Sequence, residues 1–530
     1  MSERAPHRLV EELEARIRPV ETRFRAAYWD SQVSATPENE RRRSEFELEL
    51  RRIKGDADAR LAVEEALNDD LHEPELRRQL EVLRLTLTAN QMDERLRAEM
   101  VELIGSIESD FATHRPLLDG KRATENDVQE VLTSSDDSAL RSRAWTASKE
   151  IGGLVAPRVR ELARLRNAAA VELGYPDYFV MALDLQEMSE SWLFDLLDEV
   201  DRLTDEPFRR WKEELDSGLE ARFGTADLMP WHYSDPFFQL LPVDGRVSLD
   251  DVLENRAPAE LAEKTFADWG IGLSEVIKSS DLYPREGKSQ HAFCLDVDRT
   301  TRDVRVLANI VPGERWTEIV LHECGHAAYD VSIDTSLPYF LHRATHTFVT
   351  EAMAILCGRL VRNPRWLTEV AGIDSAQVAG VETLLHEAAA AQSLLFARWV
   401  LVVTTFEQEL YRDPEGDLDA RWWELSERFQ YLSRPAESSG AEWAAKVHVA
   451  AAPAYYHNYL LGEILATQLE SFCEREYGGL VGNVEAGAFM GREIFASGAS
   501  RKWDDVIKTA TGGALSPREF VSAATATRAS

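Results

Sequence analysis

Thr317-Glu318-Ile319-Val320-Leu321-His322-Glu323-Cys324-Gly325-His326-Ala327-Ala328-Tyr329 is an apolar run that carries two histidines and two glutamates. Its apolar residues recur at three and four spacing, which predicts a helix. Positions four apart share one helical face, so the imidazoles of His322 and His326 can reach a single metal ion. Glu323, one position further on, points beside that ion. A carboxylate placed there can take the proton of an activated water, as metal-assisted hydrolysis requires. Burying such groups in an apolar helix is costly unless something pairs with them. The segment therefore reads as a zinc-binding helix with Glu323 as its base.

Zinc needs a third protein ligand and one open position. Ser332 stands where a third histidine of the longer His-x-x-Gly-x-x-His pattern would fall, which excludes that subclass. Glu351 leads among the remaining acids, because it sits in Phe348-Val349-Thr350-Glu351-Ala352-Met353-Ala354, the start of another apolar helix. Asp330, Asp334, His342 and His346 are its rivals, either as ligands or as partners that orient the imidazoles.

Upstream of the motif, the pattern of His291 to Ile310 changes. His-Ala-Phe-Cys-Leu-Asp-Val, a polar Arg-Thr-Thr-Arg turn and Val304-Arg305-Val306-Leu307-Ala308-Asn309-Ile310 predict a β-hairpin opened by His291 and Ala292. From Pro6 to about Leu228 the pattern is helical, with breaks at Ser34 to Glu38, His72 to Pro74 and Ser134 to Ser138. Helical pattern resumes at Trp316 and runs to the end. No solenoid repeat or low-complexity segment interrupts it. The expectation is one mainly α domain across 1–530, with a small β-element just before the motif.

The 93 acids and 60 bases give a formal charge of −33, which repels phosphate backbones and anionic bilayers. Nucleic acid and membranes are therefore not expected partners. The most apolar stretch, Leu394 to Val403, contains Arg398 and is too short to span a bilayer, so it reads as a buried helix. Met1 to Val10 has no apolar core of the kind a secretory signal needs, which predicts a cytoplasmic protein. Cys294, Cys324, Cys357 and Cys473 show no Cys-x-x-Cys pairing and read as packing thiols.

With these residues in view, the chain resembles the angiotensin-converting-enzyme family of zinc dipeptidyl carboxypeptidases and, more distantly, the thimet oligopeptidase family. The likeness includes Ala27-Tyr28-Trp29, Asn167 to Tyr175, Trp422-Trp423-Glu424-Leu425 and Ser500-Arg501-Lys502-Trp503. Its most specific pieces are His291-Ala292, the motif helix, Lys446-Val447-His448-Val449 and Tyr456-His457-Asn458-Tyr459.

The resemblance implies a mainly α, two-lobed zinc-peptidase fold with a deep central cleft and a hairpin beside the zinc helix. It implies one Zn2+ per chain on His322, His326 and Glu351, with Glu323 as the base. Tyr459 and His448 would stabilise the oxyanion that forms on the carbonyl. His291 and Ala292 would pair with the substrate backbone, and Lys446 and Tyr456 would hold its terminal carboxylate. The expected substrates are short unfolded peptides that lose C-terminal dipeptides. An internally cutting oligopeptidase and a non-catalytic zinc-binding protein are the alternatives.

The chain also departs from the family. Gln290 and Asn309 replace the cysteines that flank the hairpin in secreted relatives. Asn458 replaces an arginine linked to chloride activation, and neutral asparagine holds chloride poorly. Glu351, Tyr456 and Tyr459 each lie one residue later than the family pattern has them. The glutamine that helps bind the substrate terminus has no clear equivalent near Trp231 to Phe238.

Overall fold

The structure, a computed structural model, describes residues 4–241, 248–436 and 440–526. It is mainly α, with two small antiparallel two-stranded sheets among the described residues. The Pro6 to Leu228 region forms the expected long helices, among them Arg4–Val33, Pro37–Lys54, Ser138–Glu172 and Glu190–Phe223. They start where polar caps stand: Thr36, Asp137 and Ser189 each accept a backbone N–H of the following first turn. The helical reading missed the short hairpin Leu117–Leu118 with Lys121–Arg122, whose turn at Asp119-Gly120 takes positive φ at both residues.

The chain divides into two compact units, and neither is contiguous in sequence. The first comprises Met1–Gln91, Val247–Thr383 and Leu461–Glu519, and the second comprises Met92–Arg246, Leu384–Leu460 and Phe520–Ser530.

In the first unit, Leu13, Ile17, Val63, Leu80 and Leu83 build a helical core that also takes in Leu341. The predicted hairpin is present, but its bounds differ. Its strands are Phe293–Asp298 and Asp303–Leu307, with Phe293 opposite Leu307. His291 and Ala292 therefore precede the ladder and do not open it. The cause lies on the other strand, where Ala308 and Ile310 donate their backbone N–H to Asp281 and Leu282. The buried Lys288 ammonium, bonded to Asp281, Tyr283 and Ala308, fixes that diversion. Arg25 holds the hairpin from its other end through the Asp296 carbonyl and carboxylate.

In the second unit, Phe208, Leu219, Tyr233, Phe238, Leu394 and Leu395 form a further core. The apolar stretch around Leu394 belongs to a helix running Glu382–Arg412. By length and composition that helix is long enough to cross a membrane, which corrects the expectation that the stretch was too short. The apolar stretch Leu394 to Val403 is only the middle of that helix, which runs on beyond it at both ends. Arg398 is fully buried and pairs with Asp201 at 2.6 Å, donating also to the Phe429 carbonyl. A core helix can carry an arginine on such terms, because its donors are satisfied inside the protein.

Candidate active site

The motif occupies the helix Glu314–Ser332, which begins after Gly313 and packs against the helix Thr347–Arg359 and the hairpin. Close approach of the two helices is written into the sequence. A Cβ on Gly325 would fall 2.9 Å from Ala354 Cα and 3.0 Å from the Met353 carbonyl oxygen. Only glycine lets the backbones meet so closely. Gly358 on the other helix faces His322, where a Cβ would make ordinary van der Waals contact at 3.5 Å. Gly462, on the helix His457–Tyr477, leaves room beside Glu351, and Arg359 pairs with Glu463 one residue on.

This packing brings His322, His326 and Glu351 together, with one donor atom from each lying within 4.8 Å of the others. Glu351 carboxylate oxygens stand 3.8 Å from His322 Nε2 and 3.9 Å from His326 Nε2. Nitrogen and oxygen ligands about 2.0–2.1 Å from a tetrahedral zinc would be a little over 3 Å apart, so the trio needs only slight contraction to hold one. Burial drives the pKa of His322 down to about 4 and that of His326 to about 3, with His322 adding to the shift at His326. Both rings are therefore neutral near pH 7, the form that offers a lone pair to a metal.

His326 Nδ1 lies 2.7 Å from Thr350 Oγ1. None of the rival residues fills this orienting place. Asp334 accepts the Ser336 N–H in a turn, and His346 Nδ1 caps the Thr347–Arg359 helix through the Phe348 N–H. Asp330 is set among Asp296, Arg25 and Arg299, and His342 is buried near Asp296. The sequence carried a signal for Thr350, a hydroxyl immediately before the candidate ligand, but reading for carboxylates and imidazoles passed over it.

Glu323 is buried, and burial together with the Glu351 charge raises its pKa to about 8. The Cys294 backbone N–H donates to its carboxylate. The first strand of the hairpin thus touches the candidate base directly. His291 is exposed and Ala292 partly so, just before that strand. All four cysteines are free thiols; Cys324, Cys357 and Cys473 are buried and Cys294 partly so.

The second unit assembles a different cluster. Lys446 Nζ donates to Gln239 Oε1 at 3.0 Å, and Tyr456 Oη approaches the same oxygen at 3.5 Å. Trp399 Nε1 donates to Tyr456 Oη at 2.9 Å, so the phenol keeps its own proton for an acceptor. The Lys446 ammonium lies 5.4 Å from each of the Phe237, Trp399 and Tyr456 ring centroids. Such an aromatic enclosure attracts a cation and excludes water.

Gln239 is the residue that sequence reading lacked. It lies one position beyond Trp231 to Phe238, and the structure brings it to Lys446 and Tyr456. His448 packs its ring on Tyr456, and its Nδ1 is buried without a hydrogen-bond partner among the described residues. Tyr459 is partly buried and packs on Tyr455 and Tyr456. Asn458 is fully buried and donates to Gln186 Oε1 at 2.8 Å.

Comparison with known proteins gives two family matches. The family model of angiotensin-converting enzyme matches residues 1–205, and that of peptidase family M3 matches residues 276–525, the stretch that holds the motif helix and Glu351. No curated protein matches the chain. Both families are metallopeptidases, and the chain is a metallopeptidase related to the two of them.

Proposed function

We propose that the chain is a zinc-dependent peptidyl-dipeptidase, which binds short unfolded peptides by their free C-terminal carboxylate and releases dipeptides from that end. The observation that carries this reading is the Gln239, Lys446 and Tyr456 cluster, a cation and a phenol donor converging on one amide oxygen in an aromatic enclosure. In a chain of charge −33, a substrate carboxylate needs a local cation of this kind.

His322, His326 and Glu351 would hold the zinc ion, whose donor set they match in type and spacing. When bound, zinc supplies Lewis acidity toward the scissile carbonyl and acidifies water. Glu323, one position after His322 on the motif helix, takes the proton of the attacking water and passes it to the leaving amine. His291 and Ala292, free of the ladder, offer backbone groups to an extended peptide. Tyr459 and His448, as the resemblance implies, donate to the oxygen that becomes negative in the transition state.

The match of residues 276–525 to peptidase family M3 favours a second reading, an oligopeptidase that cuts internal bonds. Mass spectrometry of the products from free-acid and C-terminally amidated forms of one peptide separates the two. The proposal expects dipeptides from the free acid and slow turnover of the amide. Scattered internal cuts, at equal rates in both forms, would favour the oligopeptidase.

A further inference from the structure

We infer that Asp235 is a positioning residue for the carboxylate cluster, fixing the loop that delivers Phe237 and Gln239 to the Lys446 ammonium. The inference rests on the carboxylate-capture reading above and names a residue that touches no substrate.

Asp235 is 1% exposed. Its Oδ1 accepts the Phe237 N–H at 2.9 Å, and its Oδ2 accepts the N–H groups of Gln239 and Leu240, both at 3.0 Å. Two of these three donors belong to the residues that meet Lys446. The Gln239 amide accepts from its ammonium, and the Phe237 ring lies beside it.

The loop would not hold this form unaided. Phe238 sits at φ +51, in the left-handed region that a phenylalanine rarely takes. It is kept there by burial in the core of the second unit and by Gln430 Nε2, which donates to its carbonyl at 2.6 Å. Gln392 clips the next residues, accepting from the Leu241 N–H and donating to the Gln239 carbonyl, each at 3.0 Å.

A buried carboxylate with three backbone donors is a strong anchor, because each N–H is oriented by the chain and no water competes. Its charge also acts beyond the loop. Lys149, 2% exposed, has its Nζ 3.2 Å from the Phe237 ring centroid; burial pulls its pKa down, and Asp235 opposes that shift. Asp235 in turn helps Lys446 keep its proton against burial. Burial pushes the Asp235 pKa up while its three backbone donors and Lys149 pull it down, so the same side chain shapes the loop and acts on the Lys446 charge. Neutral asparagine at 235 keeps one acceptor oxygen but loses the charge and the bonds made by the second oxygen.

The test is the ratio of kcat/KM for a free-acid peptide to that for its amidated form, measured in the zinc-loaded full chain with Asp235→Asn, Gln392→Ala and Lys446→Ala. Lys446→Ala should lower the ratio by about 10- to 100-fold, as expected for loss of a charged hydrogen bond. Asp235→Asn should lower it by about tenfold, through KM for the free acid, with kcat for the amide little changed. Gln392→Ala, at a partly exposed site, should move it in the same direction and serves if Asp235→Asn does not fold. A ratio that falls for Lys446→Ala but stays at the wild-type value in both loop variants would overturn the inference and leave carboxylate capture standing. Equal losses on both peptides in the loop variants would also overturn it, since that marks a general structural role. A ratio unmoved by Lys446→Ala would overturn the capture reading, and the inference with it.

Discussion

Thr350 Oγ1 lies 2.7 Å from His326 Nδ1, so the residue immediately before one candidate metal ligand orients another. For Nε2 to offer its lone pair to a metal, Nδ1 must carry the proton and donate it, and the threonine oxygen is placed to accept. Thr350→Val keeps the shape and removes that acceptor. It should weaken zinc binding by about 10- to 100-fold, read by titration against a competing chelator. Unchanged affinity would mean that the contact does not orient the ring.

Gly325 is a point of close backbone approach between the two helices that carry the candidate ligands. Gly325→Ala places a methyl 2.9 Å from Ala354 Cα, backbone that cannot turn aside as a side-chain tip can. Overpacking of this sort costs about 1–3 kcal/mol. The variant should melt at lower temperature in its metal-free form and hold zinc less tightly, as differential scanning calorimetry and chelator titration would read. Wild-type values in both would show that the helices part without penalty.

Much of this arrangement was legible in the sequence, for reasons tied to particular residues. Helical spacing announced the motif helix, and Glu351 stood out because an acid is costly in an apolar run. What escaped reading depended on contacts between distant segments. The hairpin loses His291 and Ala292 because Lys288 draws the end of the second strand to Asp281, a pairing no local pattern reveals. Gln239 joins Lys446 and Tyr456 across some two hundred positions, through a loop whose turn at Phe238 breaks the ordinary residue preference. Thr350 offered only its place immediately before Glu351 as a signal, and that place gains meaning once its partner His326 is known.

Burial lowers the pKa of Lys446 to about 8, and Asp235 offsets only part of that shift. The protonated amine binds a carboxylate, so capture is nearly complete well below pH 8, half-lost near it and lost as pH rises through it. The free-acid to amide ratio of kcat/KM, which reports groups in the free enzyme, should therefore fall between about pH 7 and 9. An ordinary exposed lysine would hold the ratio level to about pH 10. A level ratio would show that Lys446 is not the group that recognises the terminus.

The central claim is that His322, His326 and Glu351 hold a zinc ion while Glu323 moves the proton, and one paired measurement addresses it most directly. Zinc content by atomic emission and peptide hydrolysis are measured side by side for the wild type, Glu323→Gln and His322→Ala. A neutral amide cannot accept the proton, so Glu323→Gln should keep its zinc and lose about 10²- to 10⁴-fold in turnover. His322→Ala should lose both zinc and turnover, since two protein ligands hold the ion poorly. Near-wild-type hydrolysis by Glu323→Gln, or full zinc content in His322→Ala, would contradict the account.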